Sequence, residues 1–251
     1  MAAAERLATQ GRTEAALSAY QEVAEKFGEP PPVLYAIARL EAELGRWEAA
    51  GAALEKALPE LPDNLRAAAH KLRGEIFFQL KEYDRAAQAW AAAAESQPDD
   101  FELWNRLGQF YLGLGPPRSA EAIAALEHAV QLDSERPLLR LDLGLAYERA
   151  GKLAQARQQY LRATQLLPDQ PQAWTRLAAL EASANQNQDA ERHLRLALRA
   201  DPSFGPALFE LGNLLSRQGQ LNEARRLLER YRQLQQEQAP HAPEEPLRPE
   251  M

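Results

Sequence analysis

Small and bulky apolar residues recur along this chain at a nearly fixed distance. Ala16, Ala50, Ala86, Ala122, Ala156, Ala190 and Ala224 are separated by 34, 36, 36, 34, 34 and 34 residues. Four residues after each comes a bulky apolar side chain: Tyr20, Leu54, Trp90, Leu126, Tyr160, Leu194 and Leu228. Seven after each comes a third column, Val23, Ala57, Ala93, Ala129, Ala163, Ala197 and Tyr231. Offsets of four and seven place all three columns on one face of an α-helix. A second helical pattern lies upstream in each unit. Leu34, Trp104, Trp174 and Leu208 are followed three residues later by Ile37, Leu107, Leu177 and Leu211, and then by Ala38, Gly108, Ala178 and Gly212. Gly74 and Gly144 hold that small position in other units, and Phe77, Tyr111, Tyr147 and Leu215 come three residues after it. Glycine inside a helix costs roughly 1 kcal/mol relative to alanine. Its recurrence therefore predicts a crossing so close that a side chain has to be missing.

The punctuation agrees. Gly11, Gly45, Gly115, Gly151 and Gly219 sit between the two helices of a unit, where a left-handed residue ends the first. Pro62, Pro98, Pro168 and Pro202 fall where the second helix should stop, with Ser134 at the equivalent point elsewhere. The pattern predicts an all-α array of about seven antiparallel helix–turn–helix repeats over residues 1–238, with units near 1–30, 31–66, 67–100, 101–136, 137–170, 171–204 and 205–238.

At this point the chain resembles the tetratricopeptide repeat family. WNRLGQFY at 104–111 matches the first-helix signature, and GKLAQARQQYLRATQLLPDQ at 151–170 matches the second half of the repeat. The likeness covers about residues 1–232. It implies a right-handed superhelical solenoid and a role in binding peptides or partner proteins in the groove.

Several units depart from the pattern. At 67–100, His70 and Arg73 replace a bulky and an aliphatic residue, while Leu65, Ala69, Leu72, Ile76 and Leu80 form an alternative stripe. That helix is expected to begin early, after Pro59 has ended the one before it. The turn GLGPPRS at 113–119 is longer than its counterparts, and Arg140 stands where an aromatic residue is expected. Val23 and Tyr231 break the third column only in the first and last units, as terminal repeats require. Met1 falls inside the first helix of a short unit, so the natural chain either starts with a stub or extends upstream. After the last helix, Pro240, Pro243, Pro246 and Pro249 recur at intervals of three in a tail, 239–251, with too little apolar mass to fold. That tail reads as a disordered linker, with a docking peptide as the alternative.

Composition excludes more than it assigns. The 251 residues carry 36 acidic and 29 basic side chains, and a net charge of −7 argues against nucleic acid. With no cysteine there is no disulfide, thiolate metal site or cysteine nucleophile. No apolar run is long enough for a transmembrane segment. MAAAERLATQ is not a signal peptide as written, which favours the cytoplasm, or the periplasm if a leader was trimmed. The excess of arginine over lysine suggests a bacterial source. His70, His128, His193 and His241 lack partners at metal-ligand spacing. Asp99–Asp100 and Glu244–Glu245 are solvated pairs in a turn and a tail, and no phosphate loop follows a strand. No metal, no cofactor and no enzyme are expected.

Function should therefore lie in the groove. Since the packing columns face the second helices, the neighbouring columns of the first helices are the candidates: Tyr35 and Arg39; Lys71, Glu75 and Phe78; Asn105, Gln109 and Leu112; Leu138, Leu141 and Leu145; Phe209 and Asn213. The three leucines at offsets of three and four form an apolar ridge, which Phe78 and Leu112 would extend, and such ridges mark interaction sites. Asn105 and Gln109 are suited to hydrogen-bonding a peptide backbone. Chaperone-tail-binding relatives hold a terminal carboxylate with a set of Lys, Asn and Arg on three successive first helices. The corresponding series here, Tyr35 and Arg39, Leu72, then Glu102 and Arg106, lacks that cradle. The expectation is a non-catalytic adaptor or assembly factor that binds a protein segment, centred on units 101–170. A self-associating homo-oligomeric module and the repeat region of a larger enzyme are the alternatives.

Overall fold

A computed structural model describes residues 1–238. Among them are fourteen α-helices and two short 3₁₀ turns, with no strand. The chain divides into two compact units between Ser134 and Glu135. The first unit contains α1 (Ala2–Thr9), α2 (Thr13–Phe27), α3 (Pro31–Glu43), α4 (Trp47–Ala57), α5 (Asp63–Gln79), α6 (Tyr83–Ser96), α7 (Phe101–Gly113) and α8 (Ser119–Leu132). The second contains α9 (Pro137–Arg149), α10 (Leu153–Leu166), α11 (Pro171–Ser183), α12 (Asn187–Ala200), α13 (Gly205–Arg217) and α14 (Leu221–Gln238). Consecutive helices pack as pairs, seven in all among the described residues.

The small-on-bulky contact predicted from the repeat is present in the four pairs whose first helix carries the glycine. A Cβ on Gly108 would lie 2.5 Å from Leu126 Cγ, and one on Gly212 would lie 2.7 Å from Leu228 Cγ. At Gly74 and Gly144 it would collide with the rings of Trp90 and Tyr160. The repeated alanines Ala16, Ala50, Ala86, Ala122, Ala156 and Ala190 are fully buried. Both small columns thus let two helix backbones approach, and the bulky column fills the space between them.

Four first helices end in the way their glycine predicts, while Gly115 has φ 94° and ψ −171°, extended and not helical, after α7 has been capped by Leu114. Gly45 has φ 71° and its N–H donates to the Ala42 carbonyl, while the Arg46 N–H reaches back to Glu41. Gly11, Gly151 and Gly219 are also left-handed. Two units lack a glycine at that point, and there Lys81 (φ 63°) and Asn185 (φ 61°) adopt the same conformation. Pro31, Pro137 and Pro171 open their helices, where a missing N–H leaves no bond unmade.

The departures have structural counterparts. Helix α5 is 17 residues long, against 13 for α3, α7, α9, α11 and α13, and it starts at Asp63, inside the unit drawn as 31–66. It buries the alternative stripe through Ala69 and Ile76, with Leu65, Leu72 and Leu80 packed beside them. It also buries Gly74 and Phe77. Helix α4 stops at Ala57, and Pro59 lies in a 3₁₀ turn. The longer turn is pinned through Arg118, whose guanidinium pairs with Glu121 at 2.8 Å and also with Asp84. At the last pair the Tyr231 ring packs against Phe209, 5.2 Å away between centroids. The proline-rich tail lies outside the described residues.

Candidate interaction cleft

The first unit carries an open cleft of about 1020 Å³ lined by side chains of α3, α5, α6 and α7. Three of these are first helices of successive repeats, so their exposed columns converge on one concavity. Tyr35, Arg39, Lys71, Phe78 and Gln109, expected from the repeat register, all line it. Glu75, also expected from the register, lines it too, and Leu72, Arg106, Trp90 and Phe110 complete its chemistry.

One end is aromatic. Phe78 is 43% exposed, and its ring centroid lies 5.8, 6.0 and 6.0 Å from those of Tyr83, Trp90 and Phe110. Trp90 and Phe110 meet edge-on at 4.8 Å, the geometry that aromatic quadrupoles favour. The Trp90 indole N–H donates to the Lys71 carbonyl at 3.2 Å, and the same edge of the ring fills the space over Gly74.

The other end is charged. Asp100 caps α7, accepting from the Leu103 N–H at 3.1 Å. Its second oxygen accepts from Lys71 Nζ at 2.8 Å, and this bond is the main reason its carboxyl titrates below the ordinary aspartate range. The Lys71 ammonium is thus already engaged in an ion pair. Arg39 reaches only Glu43, at 3.9 Å between exposed groups, and Glu75 and Arg106 have no ion-pair partner among the described residues. Burial pushes the Tyr35 phenol above its ordinary pKa, with Arg39 opposing the shift.

The remaining expected residues are not gathered there. Asn105 is half-buried, outside the cleft lining, and its Oδ1 is buried without a hydrogen-bond partner among the described residues. Leu112 is only 7% exposed, which corrects its placement in the groove. A seven-residue offset keeps it on the face of Asn105, and that face of α7 is covered. Periodicity reads the direction of a side chain and not what lies over it. In the second unit Leu138 is 58% exposed, Leu141 and Leu145 are half-buried, Phe209 is exposed against Tyr231, and Asn213 is half-buried. The repeat register gives Trp90 a packing role alone and places Phe110 in no column. The nearest sequence signal was the density of aromatic residues between Phe77 and Phe110.

Two histidines have packing roles. The His128 ring lies 4.2 Å from that of Trp104, and its Nε2 is 2.9 Å from the Pro98 carbonyl. His193 stacks on Trp174 at 5.2 Å, and its Nδ1 is 2.6 Å from the buried Glu181 carboxylate. Burial lowers the His70 pKa, with Arg73 and Arg66 adding to the effect. Among the described residues no three His, Asp or Glu side chains are placed to hold a metal, and no helix is long and apolar enough to cross a membrane.

Comparison with known proteins agrees with the architecture. Tetratricopeptide repeat models match residues 7–76 and 181–242, 72–137 and 137–180. The chain belongs to the tetratricopeptide repeat family. It is 30% identical over 174 residues to the beta-barrel assembly-enhancing protease of Yersinia pestis, a match covering 63% of this chain and 34% of that protein. The chain spans 34% or less of the length of the first curated relatives it matches. The C-terminal part of a repeat protein from Cytophaga hutchinsonii superposes with a TM-score of 0.68 at 16% identity, covering 92% of this chain and 93% of that one. YrrB, described as a repeat protein with an unusual peptide-binding site, superposes with a TM-score of 0.60 at 23% identity, over 76% of this chain and 96% of its own.

Proposed function

We propose that this protein is a non-catalytic interaction module whose first unit binds a peptide segment of a partner protein in the α3–α5–α7 cleft. The family membership supports the general role, and the cleft supports the place. The observation that carries it is the exposed Phe78 ring within a four-aromatic cluster at the edge of an open concavity. Desolvated aromatic anchors of this kind contribute most of the affinity in protein interfaces. This reading places the site at the aromatic end of the first unit, whereas the repeat register centres it on residues 101–170.

A displayed library of random decapeptides, selected on the full chain and re-tested on Phe78→Ala and on Leu141→Glu/Leu145→Glu, tests the reading. Selected peptides are expected to lose binding to the first variant and keep it on the second. The opposite pattern would assign binding to the ridge. A second reading, the repeat region of a larger enzyme, is favoured by the partial match to the protease from Yersinia pestis. The reading frame flanking the gene segment tests it.

A further inference from the structure

The charged residues left without strong partners in the cleft form an ordered series. Arg39 on α3 and Glu75 on α5 occupy the same position of successive repeats, 36 residues apart. The next member on α7 is Gln109, and Arg106 lies one turn before it in the same cleft lining. Crossing the three first helices, a ligand would meet a cation, an anion and a cation. Packed helices are spaced by roughly 8–10 Å. A polyproline II strand rises about 3.1 Å per residue with three residues per turn, so one of its faces repeats every ~9.3 Å. That repeat fits the spacing of directly packed first helices such as α3 and α5, and flat aromatic faces such as Phe78, Trp90 and Phe110 are the surfaces on which proline rings dock.

Resting on the cleft assignment above, we infer that the partner segment is a proline-rich polyproline II peptide with an acid–x–x–base–x–x–acid pattern. It crosses α3, α5 and α7 so that its charges meet Arg39, Glu75 and Arg106 in turn. An amphipathic helix fits less well, because the apolar surface is confined to one end of the cleft and cannot cover a helical stripe several turns long.

The probes are three fluorescein-labelled peptides: Glu-Pro-Pro-Lys-Pro-Pro-Glu, its charge-reversed form Lys-Pro-Pro-Glu-Pro-Pro-Lys, and an alanine form, Glu-Ala-Ala-Lys-Ala-Ala-Glu. Anisotropy is measured with the full chain. Because the charges are exposed, the first peptide is expected to bind about fivefold tighter than the second, and tighter than the alanine form. The exchange Arg39→Glu/Glu75→Lys/Arg106→Glu should invert the charge preference, and Phe78→Ala should weaken the first peptide about tenfold. If the triple variant loses helicity by circular dichroism, Arg39→Glu and Arg106→Glu alone carry the test, each lowering the preference about threefold. Equal binding of both charge forms, a preference unchanged by the exchanges, or no binding of any probe would overturn the inference. Library-selected peptides that depend on Phe78 but lack the pattern would overturn it while leaving the cleft assignment standing. Selected peptides indifferent to Phe78→Ala would overturn both.

Discussion

The two units are built on one repeat, and their first helices carry different chemistry. In the first, Phe77 and Tyr111 keep the aromatic column, and a neighbouring set, Phe78, Trp90 and Phe110, comes to the surface around the cleft. In the second, the same column reads Tyr147, Glu181 and Leu215. There Glu181 has a fully buried side chain, 2.6 Å from His193 Nδ1 and 3.3 Å from Arg157 Nη2. Tyr160 donates to Glu148 at 2.6 Å in the preceding pair. An acid also replaces the aromatic at Glu41, buried in the first unit with an Arg46 guanidinium nitrogen 3.5 Å from its carboxylate. The small-on-bulky contact recurs in both units, at Gly74 and Gly108 in the first and at Gly144 and Gly212 in the second. The aromatic column is the one that varies: it stays aromatic and buried at Phe77 and Tyr111, beside the surface aromatics of the cleft, and gives way to a buried polar cluster at Glu181.

The sharpest way to break this comparison is to remove the buried carboxylate. Glu181→Leu should cost about 3 kcal/mol, because it leaves His193 buried beside an apolar group. Adding His193→Leu should restore most of the loss, as replacing a whole buried pair by apolar residues does. Urea unfolding of the single and double variants measures both, and a neutral single variant would mean the pair is not what holds that site. Next in size is the shared contact. Gly108→Val and Gly144→Val should each cost about 2 kcal/mol, since Leu126 and Tyr160 cannot retreat from a new side chain. Thermal melts giving clearly unequal losses would show that the contact is not equivalent in the two units.

Alkaline titration separates the units by a smaller effect. Burial, and then the hydrogen bond to Glu148, raise the Tyr160 pKa far above 10.0. The unfolded phenol ionises near 10 while the folded one stays neutral, so its contribution is intact below that pH and declines above it, by up to ~1.4 kcal/mol per pH unit. Tyr160→Phe should flatten the fall in stability above pH 10, measured by denaturation at stepped pH. The smallest effect is a gain. Lys81 holds a left-handed conformation that glycine adopts freely, so Lys81→Gly should stabilise the first unit by about 1 kcal/mol. Asn185→Gly should add less, since asparagine tolerates that region better.

Most of the fold could be read from spacing. The alanine, bulky and glycine columns located both helices of nearly every repeat, and the early start of α5 followed from its displaced stripe. Lys81 and Asn185 were missed as helix-ending residues, because their side chains carry no sign of the left-handed turn that the chain imposes on them. The site was half legible. Tyr35, Arg39, Lys71, Glu75, Phe78 and Gln109, candidates by register, line one cleft. Register could not show that Leu112 is covered, or that Trp90 both packs over Gly74 and faces the cleft. Those facts depend on what neighbouring helices place over a side chain, which a single helix period does not encode.

Hydrogen–deuterium exchange of the full chain, with and without a saturating library-selected peptide, tests the central claim most directly. The account predicts slowed exchange concentrated in residues 68–79 and 102–110, absent in Phe78→Ala. Protection confined to residues 138–145, or protection that survives Phe78→Ala, would contradict it.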